Sequence, residues 1–257
     1  GDIFMMSAYF AFFGMTTFAL PWYLAFIVTI ILTALLGVIT EKVAYKPLRN
    51  ADKNSVLISA IGVSFLLSNL ATYLFSGRPK NFPDIPFLTK MLPINAQLSV
   101  QVISLFIPIM TLVALFVLTY IVNKTKMGMA MRATSQDHET ASVMGVNINN
   151  IISWTFALGS ALASIGGMMW AVKYPGLTPT MGVMVGLKCF IAAVIGGIGN
   201  ITGAVIGGFI LGFSEILITG LFPQFSGYRD VIAFVALIII LMVKPTGLLG
   251  EKVAEKV

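Results

Sequence analysis

Residues 124–150, KTKMGMAMRATSQDHETASVMGVNINN, decide how this chain is read. They lie between two apolar runs, 102–122 and 151–172, each long enough to cross a bilayer. Lys124, Lys126 and Arg132 come first, then Asp137, His138 and Glu139. Ala133, Asp137, Ala141 and Gly145 recur every fourth residue, which on a helix sets them along one slowly drifting side. Three of the four are small and leave room for another protein's surface to come close to the backbone. Thr134 or Ser135 is placed to cap the start, and Gly145 followed by Asn147 to stop it. On spacing alone two readings stay open: a short docking helix held between two spans, or a polar loop with a helical turn.

Working outward, the chain has 257 residues, of which 58% are hydrophobic and only 10% charged, with a mean hydropathy of +0.95. Soluble domains are about one quarter charged, so the fold class is an all-α integral membrane protein. Eight hydrophobic segments are expected, at 3–20, 22–39, 55–75, 102–122, 151–172, 185–199, 202–219 and 230–243. Pro21 makes the first turn. Segment 76–101 holds Pro79, Pro83, Pro86 and Pro93 and cannot be one regular helix. The whole of 1–257 is read as a single transmembrane domain. The chain opens at Gly1 directly in an apolar run, and upstream sequence is expected.

The connections carry Lys and Arg unevenly. Loop 40–54 (Lys42, Lys46, Arg49, Lys53), loop 123–150 and the tail (Lys244, Lys252, Lys256) hold ten; the other side holds five, Arg78, Lys80, Lys90, Lys173 and Arg229. The richer side is expected to be cytoplasmic, placing 123–150 inside and 76–101 outside. The net charge of +6 is explained by this orientation rather than by nucleic acid. Cys189 sits in an apolar run and reads as a buried thiol.

No constellation supports catalysis or a metal site. His138 is the only histidine, with no Cys or second His to share a metal, and there is no HExxH, GxSxG or Walker A sequence. Glycine is the stronger signal. Gly199, Gly203 and Gly207 repeat every four residues, Gly208 and Gly212 do so one position round, and Gly159, Ala163 and Gly167 repeat in the fifth segment; such spacing permits close helix crossings in lipid. Gly196-Gly197-Ile198-Gly199-Asn200 reads as a tight turn or as a broken helix lining a pathway, with the turn preferred. Lys188 and Glu215 fall within apolar segments. Folding those segments about residues 199–202 sets both at matching depth near the outer ends, so an intramembrane ion pair is expected. The rival role is contact with substrate or an external partner.

Four stretches in order, GDIFMMSAY at the start, MGMAMRATSQDHETASVMGVN, GLKCFIAAVIGGIGNITGAVIGGFILG and the closing LMVKPTGLLG, give the chain its resemblance to the LivH-type permeases. These are membrane subunits of branched-chain amino-acid ABC importers, and the likeness covers essentially the whole chain. Family members carry a further helix upstream of the Gly-Asp seen here as Gly1-Asp2. The resemblance implies that the long inner loop contains a coupling helix seated in a cleft of a separate ATPase, at Arg132, Ala133, Asp137, Ala141, Gly145 and Asn147. It also implies a second, LivM-like permease, a periplasmic or lipid-anchored substrate-binding protein, and a bacterial inner-membrane location. ATP and Mg would be held by the partner ATPases, with no cofactor on this chain. An ion-coupled secondary transporter is the alternative, which would place a functional carboxylate near the midplane.

Overall fold

The computed structural model describes residues 1–49, 51–95, 98–244 and 246–250. Lys252 and Lys256 of the tail, and Pro245 of the closing motif, lie outside the described residues. Helix α1 (Asp2–Thr16) precedes α2 (Trp22–Thr40), for which Pro21 is the N-cap residue. The latter continues through a π-helical turn, Glu41–Tyr45, and a 3-10 turn, Lys46–Leu48. After α3 (Lys53–Phe75) come β1 (Lys80–Asn81), the short α4 (Pro86–Thr89), β2 (Met91–Asn95) and β3 (Leu98–Gln101). Then follow α5 (Val102–Lys124), α6 (Lys126–Gln136), α7 (His138–Val143), α8 (Ile148–Lys173) and β4 (Gly176–Leu177). The chain continues with α9 (Met181–Gly196), α10 (Ile201–Leu221), a 3-10 turn, Pro223–Tyr228, and α11 (Arg229–Val243).

A helix covers each of the eight hydrophobic segments, and the fold is that of an all-α integral membrane protein. Among the described residues, five helical stretches are long and apolar enough to cross a membrane: Trp22–Leu48, Asn54–Phe75, Val102–Lys124, Ile148–Lys173 and Ile201–Leu221. Helices α1 and α9 are shorter, at 15 and 16 residues. At 1.5 Å per residue they reach only about 22–24 Å, against roughly 30 Å of hydrocarbon.

The chain divides into two compact units, the first of them Gly1–Val183. Its core is made by α1, α2 and α8. Helix α2 buries Ala25, Thr29, Thr33 and Gly37, one small residue per turn, while α8 buries Ser160, Ser164 and Gly167. A side chain at Gly37 would strike Ser160, and one at Gly167 would strike the Phe4 carbonyl and Ser7. In lipid, where water exclusion does not drive helices together, this closeness supplies the van der Waals gain. The packed line on α8 differs from the expected one: Gly159 faces open space, and Ser160, one residue on, takes the inward place. A four-residue repeat alone does not say which way the helix is turned, and the neighbouring serine is nearly as small.

The Pro-rich connection folds as two small antiparallel pairs, β1 with β4 and β2 with β3. The three large apolar residues Phe82, Ile85 and Leu88 are buried with the α1 and α8 core. Lys173 at the end of α8 donates to Ser104 Oγ on α5 at 2.6 Å.

The second unit begins at Met184. Helices α9 and α10 meet through residues 197–200, where Gly197 and Gly199 have φ of +107° and +96°. Only glycine adopts such angles without strain. Asn200 then caps α10, its Oδ1 accepting from Gly203 N at 2.9 Å. Thus 196–200 forms a turn. Above it, side chains at Gly196 and Gly203 would run into each other's backbone, and one at Gly207 would meet the Ala192 carbonyl. Gly212 faces open space. Gly207→Leu is accordingly expected to lower stability by about 1–3 kcal/mol through overpacking, and Gly212→Leu to leave it unchanged, when detergent-solubilised variants are compared by thermal melting.

The described part of the closing segment, 246–250, folds back over this turn. Leu248 N donates to the Ile195 carbonyl at 2.8 Å and Leu249 N to that of Gly196 at 3.0 Å, so the end of α9 has its carbonyls satisfied. Asn200 Nδ2 donates to the Leu249 carbonyl at 3.1 Å.

Candidate functional site

The connection between α5 and α8 is two helices rather than one. Thr125 caps α6, its Oγ1 accepting from Gly128 N at 3.1 Å. The backbone at Asp137 is extended, φ −156° and ψ 116°. Its Oδ1 accepts from Glu139 N at 3.0 Å and Thr140 N at 3.3 Å, and Thr140 Oγ1 donates to Oδ2 at 2.9 Å. Asp137 is therefore an N-cap that ends α6 and starts α7, the competition with the backbone that keeps Asp out of helix interiors. This corrects the expected single helix starting at Thr134 or Ser135: those hydroxyls lie within α6 and donate to the carbonyls of Ala130 and Arg132. It also separates Ala133 from Ala141, which belong to different helices.

Helix α7 ends at Val143 with Met144 as its C-cap residue; Gly145 follows with φ +84°, and Val146 N returns to the Ala141 carbonyl at 3.1 Å. Asn147 caps α8, its Oδ1 accepting from Asn150 N at 3.3 Å. Ala141, expected on the docking surface, is only 4% exposed and packs inward. Arg132, Ala133, Gly145 and Asn147 are exposed. The residues that stand out are two that the sequence reading passed over: Val143 is 86% and Met144 79% exposed. Their signal in sequence was an apolar pair directly before the stopping glycine of an otherwise polar loop.

Behind this element lies a polar junction. Glu41, in the π-helical turn, is fully buried. Its Oε1 receives Arg49 Nη2, and its Oε2 accepts from Ser153 Oγ at 2.6 Å. Arg49 Nη1 donates to Asn149 Oδ1. Both oxygens of the buried carboxylate are thus satisfied. A cavity of about 520 Å³ opens beside the junction, lined in part by Arg49, His138, Ser142, Asn147 and Asn149. Among the described residues no three His, Cys, Asp or Glu side chains come together as a metal would need.

In the second unit Lys188 and Glu215 meet. Lys188 Nζ lies 3.0 Å from Glu215 Oε1, and 2.8 Å from Asp230 Oδ1 as well. The sequence reading missed Asp230 because it stands at the start of α11, where it passed for the boundary of a segment. Two carboxylates thus share one ammonium.

Comparison with known proteins shows which family this helical membrane domain belongs to. Residues 1–241 match the family described as branched-chain amino acid transport system / permease component. The chain belongs to this family of permeases. The permease is 35% identical to the high-affinity branched-chain amino acid transport system permease protein BraD of Pseudomonas aeruginosa, over 100% of its own length and 86% of that relative's. It is 35% identical, with the same coverage, to the corresponding protein LivH of Escherichia coli. A more distant relative is the ribose import permease protein RbsC of Haemophilus influenzae, 26% identical over 93% of the permease and 73% of that protein. No solved structure matches it. The permease is therefore a multi-pass inner-membrane subunit of an ABC importer, and the ion-coupled alternative is set aside.

Proposed function

We propose that this permease carries branched-chain or closely related amino acids inward by alternating access, as one of two dissimilar membrane subunits driven by separate ATPases. The observation that carries the reading is the two-helix element α6–α7. Its exposed apolar pair Val143–Met144 projects from a polar connection, where water would otherwise bear the cost of about 25 cal/mol per Å². A partner that covers this pair gains that area. The excess of Lys and Arg on the same side supports a cytoplasmic position for it, where ATP is available, and the exposed Arg132, Ala133, Gly145 and Asn147 lie in the same connection. Closure of two ATPases would shift the element and switch the pathway between outward and inward access. The connection 76–101, whose Lys and Arg count is the lower one, is read as external and offered to a substrate-binding protein. ATP and Mg are then held by the ATPases and not by this chain.

The substrate class follows from BraD and LivH, the relatives of highest identity named above. The test is to solubilise membranes gently, pull on a tagged permease, and identify what accompanies it. An ATPase and a second, dissimilar permease are expected, with ATP-dependent leucine uptake after reconstitution together with the binding protein. A permease that purifies alone and transports on an ion gradient would overturn the reading.

A further inference from the structure

The network Glu41–Arg49–Asn149–Ser153 joins three separate parts of the first unit. Glu41 sits where α2 widens into its π-helical turn, Arg49 stands at the end of the following 3-10 turn on the way to α3, and Asn149 and Ser153 occupy the first two turns of α8. Helix α8 begins three residues after Gly145, the end of the docking element. Further into the core, Gly37 is set close against Ser160, so α2 and α8 pack tightly there before they reach the end that carries Glu41 and Ser153.

The geometry points to this network as the positioning link through which a displacement of α6–α7 reaches α2 and α3. The inference rests on the importer reading above. Three observations support a linking role. At this junction the Tyr45 and Phe156 rings meet with centroids 5.3 Å apart, and beside the cavity at Arg49 directional polar contacts add to that contact in tying α8 to the α2–α3 connection. Arg49 uses two different nitrogens for two different segments, Nη2 to Glu41 and Nη1 to Asn149, a bridge that the planar guanidinium makes and an ammonium does not. The π-helical turn is itself a break in regular hydrogen bonding, a frequent companion of functional sites. Glu41, Arg49, Asn149 and Ser153 are thus assigned as positioning residues for transport; none of them meets the substrate.

The test uses the whole complex in proteoliposomes and reads three quantities: co-purified ATPase, ATP hydrolysis stimulated by loaded binding protein, and leucine transported per ATP hydrolysed. Asn149→Ala with Ser153→Ala cuts the α8 side while leaving the Glu41–Arg49 pair intact, so folding and assembly are retained. Transport per ATP is expected to fall at least fivefold with hydrolysis continuing. Glu41→Gln with Arg49→Met removes both charges together, which avoids stranding one of them in the interior, and is expected to give the same uncoupled phenotype. Transport per ATP equal to wild type in both double variants overturns the link, whatever happens to the melting temperature. A wild-type complex that hydrolyses no ATP overturns the importer reading and the link with it.

Discussion

Replacing Val143 and Met144 together by Asp should reduce ATP-driven uptake to background while the permease still inserts and accumulates normally. Both side chains are almost wholly exposed, so the folded chain loses little by the change, and surface substitutions of this kind stay within about 0.5 kcal/mol. The loss falls instead on the partner. An apolar pair at the centre of an interface contributes a large share of its binding energy, and two carboxylates there must be desolvated without partners. The ATPase should disappear from affinity-purified permease, and initial uptake rates should drop by well over tenfold. Wild-type uptake by this variant would remove the docking assignment. Substitution at Ala141 is a poorer probe, because at 4% exposure an Arg there disturbs the loop itself and confuses misfolding with failed docking.

The second large effect is expected at Lys188. Its ammonium lies 3.0 Å from Glu215 and 2.8 Å from Asp230, and Lys188→Met leaves two carboxylates facing each other within the helical bundle. The three side chains are partly exposed, at 26%, 17% and 34%, so the loss is expected at about 1–3 kcal/mol, below that of a fully buried pair, and a fall in melting temperature of roughly 5 °C is expected in detergent for a chain of this size. Glu215→Gln is expected to be much milder, since Asp230 remains to neutralise the lysine. The combination of Lys188→Met, Glu215→Gln and Asp230→Asn should recover most of the loss. If Lys188→Met melts like the wild type, the cluster has no structural role, and contact with substrate or the external partner becomes the better account.

Hydropathy made the spans legible because lipid imposes it: every stretch that crosses must be apolar and must satisfy its own backbone. The place of the α6–α7 element was legible for the complementary reason, as a polar interruption between two such runs. Its internal build was not. The fourfold spacing from Ala133 to Gly145 reads as one helix side, yet the Asp137 side chain captures two backbone N–H groups and restarts the helix. The Lys188–Glu215 proximity followed from hairpin symmetry, whereas Asp230 arrives from a third helix that the symmetry does not include. The Glu41–Arg49–Asn149–Ser153 network joins residues a hundred and more positions apart, and a single sequence carries no sign of which distant polar groups will meet. Gly159 and Ser160 show the smallest version of the same limit, a choice between adjacent small residues that only packing resolves.

The closing segment over the α9–α10 turn also bears on how the protein is made. Ile195 and Gly196 leave the ribosome well before Leu248 and Leu249, which carry the N–H groups that bond their carbonyls. Until α11 has been threaded and residues 246–250 follow, the end of α9 has only water or the insertion machinery to bond. A nascent chain halted just after α11 would hold its spans in place with this hairpin still open at one end.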